Sequence, residues 1–535
     1  MLKAWASDRV ESLRPNGEAM TTNQPRLSAK LASISRRKLA VLLLPLVLYV
    51  AALNPYFPPD NYDDLVYYSG AVSLANELSF KEEGIHIADW PPVLSALIAI
   101  PFALGLESLW TAKICILLAA AAGLIAGWWL FRQEGRPAPL LTFVLFALLP
   151  ISFMMGTRLM TEWPYFLISA LFLLALSRLR RPVWQTGLVV LAGTLLAAAT
   201  LTRFVGVLLG AAVLAQVIEK LVATRRWRSV LPELLTAAIG AAGFLLWKAK
   251  LHWQIQAGTA AGVYYTDGVT PDMLGRFEPL TLLPRITDLF FHSNAALAGL
   301  GWDGPLVTLL CAIPGAIVML GLVARLAGRE RSPADWYVVA LLALLACLGY
   351  DQQTRYLMPI APFLIGYGFA GCIKLFRWGR PGESPRLGPL PRLGLAAWMI
   401  LLIAGTTHLL FIGNAKGTHG ALCYFVSPTP AQFYRGDWLD VYQACQHVRE
   451  HPTPGRLALV GDDDRYFARF AERSRVPFVP GAEFAFLLVR PPVDTGHPLL
   501  TNLDLEPVYV SRSLHLFLNR RAISGPDGSP LVKSD

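Results

Sequence analysis

The sequence predicts an all-α polytopic membrane protein of about eleven transmembrane helices, followed by a small C-terminal α/β domain. Three observations predict it. Of 535 residues, 54% are hydrophobic and only 16% are charged, where a soluble protein carries about 25% charged residues; the mean hydropathy is +0.45. Apolar runs approaching the roughly 20 residues that cross a bilayer recur through the first three quarters of the chain. After Gly413 the composition becomes that of a soluble module. A soluble single domain and a disordered chain are both excluded. The balance of 47 Lys and Arg against 37 Asp and Glu gives +10, and its distribution along the chain points to membrane topology rather than to nucleic acid.

The eleven runs are Leu39 to Leu53, Leu109 to Phe131, Leu140 to Met155, Trp163 to Leu179, Thr186 to Leu201, Val205 to Leu221, Leu231 to Trp247, Pro305 to Leu326, Trp336 to Leu348, Leu357 to Phe376 and Leu393 to Ile412. The apolar stretch Val93 to Leu106 is too short to span and reads as re-entrant or interfacial. Basic residues mark every second connection: Arg36 to Lys38, then Arg132 and Arg136, Arg178 to Arg181, Arg225 to Arg228, Arg325 to Arg331, and Arg377 to Arg392. By the positive-inside rule these connections are cytoplasmic. The N-terminus is then cytoplasmic and the C-terminus extracytoplasmic, in a multi-pass protein placed in a bacterial inner membrane.

Residues 1–38 form a polar cytoplasmic tail with helix-breaking Pro15 and Pro25, residues 39–412 the membrane domain with a first outer loop over 54–92, and residues 413–535 the extracytoplasmic domain. In the last, Asp437 to Glu450 reads as an amphipathic helix. Strands are expected at Arg456 to Val460, Phe484 to Val489, Val508 to Val510 and Leu514 to Leu518. Asp462, Asp463 and Asp464 after the first strand are ordinary turn residues. Four cysteines lie in apolar runs and behave as small hydrophobes; Cys423 and Cys445 are placed to pair in an oxidising compartment.

Ionisable residues at span ends are expensive there, which makes them candidate functional groups. They gather on the outward side. Asp60 and Asn61 serve as helix caps, but capping does not require the two further acids Asp63 and Asp64 of the helix that follows. His86 and Lys81 lie before the Trp90-Pro91-Pro92 that opens the short apolar helix. Thr161 and Glu162 begin the fourth span, where a carboxylate is a costly cap. Arg203 and Arg355 run against the positive-inside bias, and a guanidinium suits phosphate because its planar fork donates two parallel hydrogen bonds.

The run Asp63-Asp64-Leu65-Val66-Tyr67-Tyr68, then Trp90-Pro91-Pro92, Thr161-Glu162, Leu201-Thr202-Arg203 and Arg355-Tyr356-Leu357-Met358-Pro359 resembles the GT-C glycosyltransferases. The resemblance is to the bacterial branch related to protein O-mannosyltransferases and to the aminoarabinose transferase of lipid A. It implies transfer of a hexose or pentose, with inversion, from a polyprenyl-phosphate-linked sugar to a lipid, protein or glycan acceptor on the outer face. It further implies Asp63 as the acid of the first outer loop and Glu162 as a second acid. Relatives carry a basic residue where this chain has Trp90, so Arg203, Arg355, His86 and Lys81 are the candidates for the donor phosphate. Tyr67 and Tyr356, inside the same motifs, are expected to position substrate.

The chemistry agrees with these residue types. A carboxylate such as Asp63 takes the proton of an attacking hydroxyl, and fixed cations stabilise the departing phosphate. Asp63, Asp64 and Glu162 are alternatively placed to gather a divalent cation, Mg or Mn, although no ligand cluster with metal spacing accompanies them. A transporter or flippase is the main rival reading, and a non-catalytic polymer-binding membrane protein a third.

Overall fold

In the computed structural model the described residues are 36–57, 63–82, 85–87, 90–179, 186–257, 282–290, 305–328, 331–347, 353–379, 437–451, 457–460, 475–477, 485–489, 505–510 and 515–519. The chain divides into two compact units. One comprises residues 1–53 and 67–408, the other residues 54–66 and 409–535.

The first unit is helical. Its elements are α1 (Arg36–Leu43), α2 (Leu46–Ala52), α3 (Asp63–Glu77, whose first turn belongs to the other unit), the hairpin β1 (Lys81–Glu82) and β2 (Ile85–His86), α4 (Val93–Ala103), α5 (Leu109–Gln133), α6 (Pro139–Leu148), α7 (Pro150–Gly156), α8 (Glu162–Leu179), α9 (Thr186–Thr202), α10 (Leu209–Thr224), α11 (Leu231–Gln256), α12 (Leu282–Phe290), α13 (Pro305–Ala327), α14 (Pro333–Cys347), α15 (Gln353–Leu357) and α16 (Ala361–Gly379). Among the described residues five helices are long and apolar enough to cross a membrane, or six if the bent pair α6 and α7 counts as one. Shorter apolar helices occupy four further places, Val93–Ala103, Thr186–Thr202, Ala312–Ala327 and Pro333–Cys347. The apolar run 393–412 lies outside the described residues.

Prolines account for two departures from unbroken spans. Leu39 to Leu53 is interrupted at Pro45, which separates α1 from α2. Leu140 to Met155 bends by 67° at Pro150. Leu149 before it is extended (φ −59°, ψ 134°), because a proline disfavours the α conformation in the residue that precedes it and carries no N–H of its own. On α3 the apolar periodicity extends to Leu78, but Leu78 leaves the helix in a left-handed conformation (φ 52°) and is 90% exposed.

Aromatic packing fixes the directions of the central helices. Phe143 of α6 lies against Phe131 of α5 and Phe166 of α8, and Phe146, one turn on, lies against Trp163 as well as Phe166. The α6 helix is therefore antiparallel to α8. Elsewhere backbones approach so closely that only glycine fits. A Cβ at Gly321 of α13 would run into the Tyr367 carbonyl of α16, and one at Gly371 of α16 into the Ile317 carbonyl of α13. Small residues allow this approach in lipid, where apolar side chains gain nothing by leaving the hydrocarbon.

In the second unit α17 (Asp437–Glu450) precedes β3 (Leu457–Val460), followed by β4 (Arg475–Pro477), β5 (Phe486–Val489), β6 (Leu505–Val510) and β7 (His515–Asn519). They form one sheet of order β4-β3-β5-β7-β6, parallel through β4-β3-β5 and antiparallel through β5-β7-β6. The sequence patterns locate α17 and four strands; β4 is an addition. Cys445 is buried on α17, while Cys423 and Asp462 to Asp464 lie outside the described residues.

Gly321→Ala should lower the melting temperature of the purified protein markedly, since overpacking costs about 1–3 kcal/mol or more. Gly187→Ala, where a Cβ would meet nothing within 4 Å, should leave it unchanged or raise it. Thermal denaturation followed by fluorescence checks the pair.

Candidate functional site

Four of the expected site residues, Glu162, Arg203, Arg355 and Tyr356, come together at the N-terminal end of α8. Glu162 is the first residue of α8, set there by the turn 157–161 and by the bond from the Tyr165 N–H to the Thr161 carbonyl (2.8 Å). Arg203 sits in the break after α9, with extended backbone (φ −150°, ψ 134°). The break is tight: a Cβ on Gly206 would lie 2.6 Å from the Ala199 carbonyl. Arg355 comes from α15, a five-residue helix stopped by the 3₁₀ turn Met358–Ile360.

Their side chains meet on one oxygen. Arg203 Nη1 donates to Glu162 Oε1 at 2.5 Å and to Thr161 Oγ1 at 3.2 Å. Arg355 Nε donates to the same Glu162 Oε1, and its Nη2 lies 3.8 Å from Met160 Sδ. The Arg203 guanidinium also stacks over the Tyr356 ring at 4.8 Å. Glu162 is fully buried, and its second oxygen, Oε2, has no hydrogen-bond partner. The side-chain exposures rise outward through the cluster, 0% for Glu162, 7% for Arg203 and 19% for Arg355. One turn along α8, the Tyr165 hydroxyl bonds to that of Tyr337 at 2.9 Å, tying α14 to the same helix. Guanidinium groups gathered in a water-poor place are of the chemical kind that binds a phosphate, since each can donate parallel hydrogen bonds.

The other expected residues sit on α3 and in the β1–β2 hairpin. Asp63 and Asp64 form the first turn of α3, and Asp64 is fully buried; both belong to the compact unit that carries the sheet. Tyr67 is buried, and its carbonyl accepts from Ser95 Oγ of α4 at 2.9 Å. Lys81 and His86 are cross-strand partners in the β1–β2 hairpin. Lys81 pairs with Glu77 at 3.3 Å. Burial, then the charges of Lys81 and of Lys250 on α11, lower the pKa of His86 from its ordinary 6.5 despite a bond to the Phe80 backbone. At pH 7 the ring is neutral, which makes it no standing cation for a phosphate.

Among the described residues no three His, Cys, Asp or Glu side chains group as a metal site. Glu162, held by two guanidiniums, does not fit a divalent cation, whose charge those arginines would repel.

Sequence reasoning missed a second buried cluster. Asp335, in the first turn of α14, accepts from Arg136 Nη2 (2.7 Å), Arg325 Nε (3.0 Å), the Tyr367 hydroxyl (2.7 Å) and the Ser332 backbone N–H (2.6 Å). Arg136 is ringed by Phe131, Phe363 and Tyr367. Arg136 and Arg325 had served only as topology markers; an acid opening an apolar helix was the available signal. Lys113 was also missed. It is 1% exposed on α5, and its place in an apolar run could have marked it.

Two predictions follow from these environments. Asp335→Asn should destabilise by about 3 kcal/mol, because two buried arginines lose one of their charge partners and are left to share Glu134; chemical denaturation measures it. For His86 the unfolded state takes up its proton first as the pH falls, so stability declines with acidification through the window beneath 6.5. His86→Gln should flatten that part of the profile, read as melting temperature against pH.

No family model and no curated protein matches the sequence. Among solved structures, ArnT from Cupriavidus metallidurans in the apo state aligns with 91% of this chain and 98% of its own, at TM-score 0.57 and 14% identity. The same protein bound to undecaprenyl phosphate aligns over the same shares at TM-score 0.59 and 13% identity. A likeness of this extent at so low an identity concerns the fold, and this chain has the GT-C fold.

Proposed function

We propose that the chain is a membrane glycosyltransferase that moves a sugar from a polyprenyl-phosphate donor to an acceptor on the outer face of a bacterial inner membrane. The observation that carries this reading is the convergence of Glu162, Arg203 and Arg355 on one buried oxygen. It occurs in a fold shared with a protein crystallised with undecaprenyl phosphate. A transporter reading gains no support from that likeness.

In this proposal Arg355, the most exposed member, turns a face of its guanidinium to the donor phosphate. Arg203 stays behind it, held by Thr161 and stacked on Tyr356. Lys81, engaged with Glu77, and neutral His86 contribute at most peripherally. The isoprenoid remains in lipid among the helices while its headgroup meets the arginines. Asp63 takes the acceptor's proton as its oxygen attacks the anomeric carbon, and Asp64 and Tyr67 support that end of the site. A single displacement of this kind inverts the anomeric configuration. Either a hexose or a pentose suits the scheme, and the acceptor is a lipid, protein or glycan. Residues 413–535, outside the membrane, would face that acceptor, with residues 1–38 in the cytoplasm.

The test combines binding and transfer. Arg355→Gln should weaken binding of undecaprenyl phosphate by about ten- to a hundredfold, the worth of a charge-assisted hydrogen bond, with Arg355→Lys restoring only part of it. Asp63→Asn should reduce transfer by about 10²-fold or more without weakening donor binding. Mass analysis of envelope glycolipids and glycans, with and without the protein, names the sugar and the acceptor. Unchanged glycans together with unchanged binding in Arg355→Gln would refute the reading.

A further inference from the structure

A polyprenyl phosphate keeps its tail in hydrocarbon, so it reaches a site among helices sideways, past some lipid-facing helix. Of the five described helices able to cross a membrane, the one containing α11 is the least enclosed, with 22% of its apolar window buried against 33% to 78% in the others. Near its C-terminal end Leu245, Leu246 and Trp253 are 62%, 72% and 68% exposed. The alternation of basic connections makes this the outward end, where lysine runs against the positive-inside bias. Two lysines are nevertheless there, Lys248 and Lys250.

Two residues apart on a helix is about 200° of rotation, so the lysines bracket the exposed face from opposite edges. Lys250 is exposed, near enough to His86 of the β1–β2 hairpin for its charge to act on that ring. Lys248, half-buried, lies on the edge toward the donor site. Its Nζ is 5.1 Å from the centre of the Phe204 ring and 5.7 Å from that of Trp247, and the two rings pack together at 5.8 Å. Phe204 directly follows the buried Arg203 at the break after α9. Cations therefore run from the lipid-facing surface inward, exposed at Lys250, half-buried at Lys248 and buried at Arg203. A lysine can lay its stem along apolar surface and offer its ammonium to a phosphate at the boundary.

We propose that the outward end of α11 is the lateral entrance for the donor: a polyprenyl phosphate arrives with its chain along Leu245 and Leu246 and its phosphate between Lys250 and Lys248, then passes over Phe204 to the arginines. The inference rests on the reading of the arginine cluster as the donor phosphate site. It deepens that reading by naming the face through which the site is filled.

The experiment is photocrosslinking of the purified full chain in phosphatidylcholine nanodiscs that hold a small fraction of undecaprenyl phosphate. The photoreactive residue p-benzoylphenylalanine is introduced for Leu245 or, as a control, for Leu118 of α5, each 62% exposed. Position 245 should capture undecaprenyl phosphate about fivefold more than position 118, while uncharged undecaprenol is captured equally at both. Lys248→Gln combined with Lys250→Gln should bring position 245 down to the level of position 118. Should that double variant fail to fold, Lys250→Gln alone, at an exposed position, should lower the capture about twofold. Equal capture at the two positions overturns the inference, as does capture at 245 that the lysine substitutions leave unchanged. Capture that an equal mole fraction of phosphatidylglycerol abolishes also overturns it, making the lysines a general headgroup contact. In each of these cases equilibrium binding that Arg355→Gln still weakens leaves the donor site standing. Equilibrium binding that Arg355→Gln does not change overturns the donor site itself.

Discussion

A charge withdrawn from water inside an apolar helical protein has to find its partner within the protein, and much of this structure follows from that constraint. Glu162 has no route to solvent, so α9 and α15 must deliver their arginines to it. Asp335 imposes the same requirement at a second place, where Arg136 and Tyr367 from other helices join the nearby Arg325 and Ser332 around one carboxylate. In both, removing one partner costs more than the pair contributes, because the remaining charge stays buried. The two clusters thus act as specifications of which helices meet, beyond any net stabilisation they supply.

Such clusters need a frame that does not yield. The α13–α16 pair supplies part of it through Gly321 and Gly371, each facing a carbonyl of the other helix. Around Glu162 the frame is aromatic instead. Trp163 is buried against Phe146 and donates from Nε1 to the Ser152 carbonyl at 3.0 Å, and Tyr49 donates to the Ala147 carbonyl at 2.8 Å. Both bonds are spent on α6 and α7, on either side of the bend at Pro150. Side-chain donors from α2 and α8 thus tie both halves of the bent pair to their neighbours.

Much of the helical architecture was legible in the sequence because apolar runs report directly on the solvent that surrounds them. Ranges such as Leu109 to Phe131 and Asp437 to Glu450 therefore correspond closely to α5 and α17. The prolines at 45 and 150 were visible as letters, yet whether a proline bends, breaks or merely starts a helix depends on what packs beside it. Arg203 and Arg355 were legible as site candidates because each sat on the wrong side of a charge bias, an anomaly that one sequence can display. Their meeting on a single oxygen of Glu162 was not, since segments separated by 41 and 193 residues announce no register to each other. Asp335 was overlooked for a related reason: an acid in a first helical turn has an adequate local explanation, so its long-range partners left no surplus to explain.

The same distinction separates what the cluster says about donor and acceptor. A phosphate is recognised by charge and a planar array of donors, features that few side chains supply, so two buried arginines constrain the ligand class strongly. An acceptor hydroxyl is recognised by shape and by one well-placed base, which many carboxylates could provide. Asp63 and Asp64 therefore rest on their position in a motif, while Arg203 and Arg355 rest on geometry. In the proposed reading, the part of the chemistry common to every acceptor, the lipid phosphate, is then met in the packed helical unit. The part that distinguishes one acceptor from another belongs where the chain is free to vary without disturbing buried charge.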